Sequence, residues 1–65
     1  MEYGRITEVG DYKIVERRYG PGDTWTYEVS FFHDGIGWQF ITTFETAKKA
    51  FRFVRDVEKH RPQFR

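Results

Sequence analysis

Cysteine is absent from the 65 residues, so neither a disulfide framework nor a thiolate metal site staples this chain, and nothing in it reports a redox compartment. Leucine is absent as well. No apolar run approaches the roughly 18–20 residues of a membrane span, and the opening MEYGRITEVG lacks the basic-then-apolar order of a signal peptide. The expectation from these absences is a soluble, cytoplasmic protein with no membrane partner. The two imidazoles, His33 and His60, have no ligand spacing, so no metal is expected. Ser30 is the sole serine and falls in a strand pattern with no identifiable base or oxyanion donor, so no nucleophile is indicated. Gly20-Pro-Gly22 and Gly35-Ile-Gly37 lack the strand-to-helix setting of phosphate-binding loops and read as turns. No catalytic residue and no cofactor is expected, and the chain reads as non-catalytic.

What the chain has in excess is rings: seven Phe, four Tyr and two Trp. A chain this short buries only about 60% of the surface its unfolded form exposes, so its stability is marginal unless the buried groups are large. Each ring removes roughly 150–250 Å² from water, and aromatic area here takes the place of core size. Charge is uneven. Up to Thr46 four bases stand against eight acids, a balance of −4, whereas from Ala47 onward seven bases stand against two acids, a balance of +5, leaving +1 in total. An acidic half therefore carries a basic one.

Loose alternation over about 3–9, broken by Gly10-Asp11 and resumed over about 12–19, predicts a hairpin. Gly20-Pro-Gly-Asp23 is a strong turn signal, since proline sets φ and the flanking glycines tolerate positive φ. The clearest strand is about 24–33, with Trp25, Tyr27, Val29 and Phe31 on one face and Thr24, Thr26, Glu28 and Ser30 on the other. Asp34-Gly35 reverses the chain into a fourth strand over about 37–42. A helix follows over about 46–60, with Thr46 as N-cap, Thr43 as the alternative, and Thr42-x-x-Glu45 in the form of a capping box. Ala47, Ala50, Phe51, Phe53, Val54 and Val57 share its apolar arc. Lys48, Lys49, Arg52, Arg55, Asp56 and Lys59 take the other side. Pro62 ends the pattern and residues 61–65 read as a frayed tail. The fold class is α+β: a small antiparallel sheet of three to four strands packed on one C-terminal helix, in a single domain expected to be a monomer.

Trp25-Thr-Tyr-Glu-Val-Ser30, a glycine-bearing turn, then Thr43-Phe-Glu-Thr-Ala47 and Lys-Lys-Ala50 together resemble the plant ethylene-response-factor DNA-binding domain. The same residues look like the N-terminal arm-binding domain of tyrosine-type phage integrases. The resemblance spans Arg17 to about Val54 and implies three antiparallel strands on one helix, with the sheet face away from the helix entering the DNA major groove. Carried over position by position, that reading face implies Arg17 or Arg18, Glu28 and Ser30, and Trp38 and Phe40 as nucleic-acid contacts. The strand over about 3–9 is additional to the pattern.

The loop at Asp34 decides whether those rings are displayed. With a two-residue turn, Phe31 lies opposite Trp38 and Val29 opposite Phe40, all rings point at the helix, and apolar separates from polar most cleanly. With Asp34-Gly35-Ile36 as a three-residue loop, Trp38 and Phe40 move to the open face beside Glu28 and Ser30. The cleaner sorting favours the first arrangement. Arg17 and Arg18 suit phosphate, and equally a solvated strand edge that discourages pairing. Lys48, Lys49, Arg52, Arg55 and Lys59 form a second basic face able to neutralise several phosphates, or simply a solvated helix surface. The functional expectation is a small binding module that contacts nucleic acid, in a regulatory role, through the outer sheet face or the basic helix. The alternative is a protein-interaction module or inhibitor that docks on a protein partner.

Overall fold

The computed structural model describes residues 1–59. Four strands and one helix follow in order: β1 Glu2–Val9, β2 Tyr12–Arg18, β3 Thr26–His33, β4 Gly37–Phe44 and α1 Ala47–Lys59. The strands form one antiparallel sheet in the order β1-β2-β3-β4, and α1 packs on β3, β4 and β2, so the molecule is a small α+β fold with its helix on one side of the sheet. The frayed tail, the helix end at His60 and the break at Pro62 fall outside the described residues.

Alternation along the strands sorts the side chains into two faces. Tyr12 pairs with Phe31 and Ile14 with Val29, and Tyr12, Ile14 and Val29 meet Ala50 and Val54 in the core under the helix. Val29 and Ala50 are fully buried there, and the small side chain of Ala50 lets α1 come close to β3. Val9, Tyr27, Phe31, Phe44, Phe53 and Val57 close the margins of this core, with Tyr12 against Phe31 at 5.1 Å and Phe44 against Phe53 at 5.3 Å between ring centroids. Thr46 caps α1: its Oγ1 accepts the Lys49 N–H at 3.2 Å, and its carbonyl accepts the Ala50 N–H. Thr42 and Thr43 belong to β4, opposite Val29 and Glu28, so neither the capping box nor the alternative cap forms. The strand pairing takes those backbone groups before a helix can start.

Hairpin β1-β2 turns on Gly10-Asp11, with Val9 opposite Tyr12 and Gly10 at φ 60. A glycine of positive φ at the first central position, followed by a residue without it, is the II′ pattern that suits the twist of paired strands. Strand β1 bulges at Gly4-Arg5, which together face Glu16, and the Arg5 N–H donates to Glu16 Oε1 at 2.8 Å. Strand β3 starts two residues later than the alternation suggests. Thr24 and Trp25 belong to the β2-β3 loop, where the Asp23 N–H closes a turn on the Gly20 carbonyl at 3.0 Å.

Two further expectations are corrected. The β3-β4 loop has three residues: His33 pairs with Gly37, Phe32 with Trp38 and Ser30 with Phe40, so the favoured all-inward arrangement of rings does not form. The turn closes by Ile36 N–H to His33 carbonyl at 3.0 Å, and positive φ falls on Gly35 and Gly37. A two-residue I′ turn would need positive φ at Asp34, which aspartate does not adopt here. The ladder then skips Ile41, since Ser30 faces Phe40 while Val29 faces Thr42. This bulge reverses the alternation, so that Trp38 and Phe40 point outward while Phe44 points into the core. The second correction concerns Phe51, expected in the core and found 36% exposed. At 100° per residue both Phe51 and Phe53 lie roughly 80° from the centre of the buried arc, but Phe53 meets Phe44 of β4 whereas Phe51 borders an open cleft with Arg5, Glu16 and Tyr27.

Candidate functional site

The outer sheet face gathers five of the six residues implied by the resemblance. Arg17 and Glu28 form an ion pair across β2 and β3, Ser30 and Phe40 are cross-strand partners, and Trp38 stands beside them. Arg18 is not with them. Its neighbour Arg17 faces outward, so alternation turns Arg18 to the helix side, where it is held by Glu2 at 2.8 Å, by the Pro21 carbonyl at 3.2 Å and by the Trp25 ring at 4.4 Å. Strand β2 is interior to the sheet, which removes the reading of Arg17 and Arg18 as a solvated edge.

The outer face is rich in rings and balanced in charge. Trp38 meets Phe32 edge-on at 5.3 Å, and Lys13 Nζ lies 4.4 Å from a Trp38 ring centroid. Phe40 is 62% exposed and Ile6 57%, while Val15, opposite Ile6, is only 9% exposed although it lies away from the helix. Of the cations on this face, Arg17 is ion-paired with Glu28, and Lys13 stands opposite Glu8 in the β1-β2 ladder with its ammonium over the Trp38 ring. At Arg17, phosphate would have to compete with a carboxylate already in place.

The helix differs. Lys48, Lys49, Arg52, Arg55 and Lys59 are all exposed on α1. Lys48, Arg52 and Arg55, with Phe51 and Asp56, line one open depression of about 290 Å³. Their spacings are three and four residues, the separations that stack side chains along one stripe of a helix. Phe51 also lines a second cleft, of about 110 Å³, with Arg5, Glu16 and Tyr27. The exposed ring thus sits between Arg5 on the sheet and the cations of the helix. Tyr27 Oη donates to Glu16 Oε2 at 3.2 Å. Burial raises the Tyr27 phenol above its usual value, with the hydrogen bond to Glu16 and the carboxylate charge adding to the shift.

Arg5 and Phe51 escape sequence reasoning about the site for different reasons. Glycine inside the β1 pattern hints at the bulge that sends Arg5 to the helix side. The position of Phe51 at the end of its arc is legible, but how far the sheet reaches under it is not. His33 is exposed, with Nδ1 2.9 Å from the Asp34 carbonyl; His60 lies outside the described residues. Among the described residues no group of three or more metal-ligating side chains occurs, and no helix is long and apolar enough to cross a membrane. Comparison with protein-family models, curated proteins and solved structures returned no match.

Proposed function

We propose that this protein is a non-catalytic module that binds single-stranded nucleic acid through the exposed stripe of α1. The carrying observation is the shared depression in which Lys48, Arg52 and Arg55 surround the exposed part of Phe51. Cations supply phosphate contacts whose strength comes from counterion release, and a half-exposed ring offers a stacking surface that every base can use. The acidic excess before Ala47 orients the molecule, turning its basic end toward a polyanion and its sheet away. Binding through the sheet face has less support, because Arg17 is taken up by Glu28 and Lys13 by the Trp38 ring.

Anisotropy titration of a labelled oligonucleotide tests this. If Lys48, Arg52 and Arg55 each neutralise one phosphate, log affinity falls with log salt at a slope of about −2 for a single strand, or roughly 20-fold from about 50 to 200 mM salt. Arg52→Ala with Arg55→Ala removes most of the binding and flattens the slope, whereas Arg17→Ala leaves both unchanged. Absence of binding at about 50 mM salt, where phosphate-driven affinity is high, refutes the proposal. Loss of binding in Arg17→Ala with retention in the helix variant moves the site to the sheet.

A further inference from the structure

The ten exposed large hydrophobics of the described residues include Phe32, Trp38 and Phe40 on β3 and β4 and Ile6 on the opposite edge strand β1, all on the side of the sheet that α1 does not cover. We propose that this outer face is a self-association interface, occupied by a second copy of the same chain packed sheet against sheet. The proposal is independent of nucleic-acid binding, since the stripe on α1 lies on the opposite side and remains exposed in such a dimer.

Two observations select a second copy over a polyanion or a strongly charged protein. The first is area. Four strands of seven or eight residues make a face of roughly 19 by 27 Å; with side-chain corrugation from both copies, pairing removes on the order of 1,200 Å² from water, the lower end of stable interfaces. The second is charge. Glu8 faces Lys13 and Arg17 pairs with Glu28, so both signs alternate in neighbouring positions and the face meets its own rotated copy without net repulsion. A partner carrying one sign gains nothing from such a surface. A copy stacked about 10 Å above would cover these side chains as in a β-sandwich, with helices on the two outsides.

Sedimentation analysis over a range of roughly 1 to 500 μM, a span that brackets weak association, tests the interface. The expected result is a rise from the monomer mass of 7.9 kDa toward twice that value. In a Trp25→Phe background, Trp38 emission shifts to the blue over the same range as its indole leaves water. Phe40→Glu on β4 and Ile6→Lys on β1 each keep the protein monomeric across the range, and circular dichroism at the dilute end shows whether each remains folded. A wild-type protein that stays at monomer mass throughout overturns the proposal, whatever other protein the face then captures. So does association that persists in both folded variants. Association abolished by about 1 M salt but untouched by either variant would instead be the acidic sheet end of one copy meeting the basic helix of another, because screening removes such contacts, and it too overturns the proposal.

Discussion

The two faces of the sheet hold similar residues in different states. Under α1, Tyr12, Ile14 and Val29 are buried against Ala50 and Val54, whereas on the opposite side Phe32, Trp38, Phe40 and Ile6 remain in contact with water. Hydrophobicity alone does not separate these groups. Alternation along β1 and β3 turns Ile6 and Phe32 outward, and on β4 a three-residue loop and the skipped Ile41 send Trp38 and Phe40 one way and Phe44 the other. A one-residue change in register moves a whole set of side chains through the sheet, so the division between core and displayed surface rests on backbone count more than on residue type.

The sharpest way to break this contrast is to truncate one side chain on each face. Val29→Ala opens a cavity at a site with no exposure and is expected to cost about 2 kcal/mol, a large part of the stability of so small a domain. Phe40→Ala removes a larger side chain yet, in dilute protein where the monomer prevails, is expected to change stability by less than about 0.5 kcal/mol. Urea unfolding of both variants at low concentration gives the comparison. Equal losses would mean that the outer rings are packed in the monomer after all.

The next test concerns how the covered face is closed at its far end. Gly10 has φ 60, and a Cβ there would meet Glu58 Oε2 at 2.7 Å and Cδ at 3.0 Å, because the last turn of α1 rests on the β1-β2 hairpin. Gly10→Ala is therefore expected to cost about 1–2 kcal/mol from backbone strain, with the displaced Glu58 adding to it. A thermal melt unchanged from wild type would show that the helix end does not lie on the turn. At the other end of α1, Thr46→Ala removes the oxygen that accepts the Lys49 N–H, at a cost of about 1 kcal/mol. An equally stable Thr46→Ala protein would mean that water satisfies that donor as well.

Legibility in the sequence follows the same division. The helix phase apart from Phe51, its cap at Thr46, the Gly10-Asp11 hairpin and, of the inward set, Tyr27, Val29 and Phe31 but not Trp25 depend on local pattern and are found as it predicts. The orientation of Trp38 and Phe40 depends on loop length, for which the local signal is Gly37, a second glycine where a regular strand needs none. The Ile41 bulge has no comparable mark, because isoleucine is at home in any strand. Arg17 and Arg18 stay alternatives in the sequence for a related reason: adjacent arginines look alike there, yet alternation sends them to opposite faces.

The smallest effect probes the margin where the covered face gives way to the cleft beside Phe51. There burial, followed by the hydrogen bond to Glu16 and its charge, keeps the Tyr27 phenol above the usual value of 10.0. Below about pH 10 the phenol is protonated in both folded and unfolded chains, and the contribution is intact. Above it the unfolded chain loses the proton first, so stability falls as pH climbs toward the raised folded value. Tyr27→Phe has no proton to lose and should show a shallower decline between about pH 9.5 and 11 than wild type, with a loss below about 1 kcal/mol at neutral pH from the missing hydrogen bond. Parallel declines in the two proteins would place Tyr27 in the same water as a free phenol, and with it would go the claim that the helix shields this edge of the sheet.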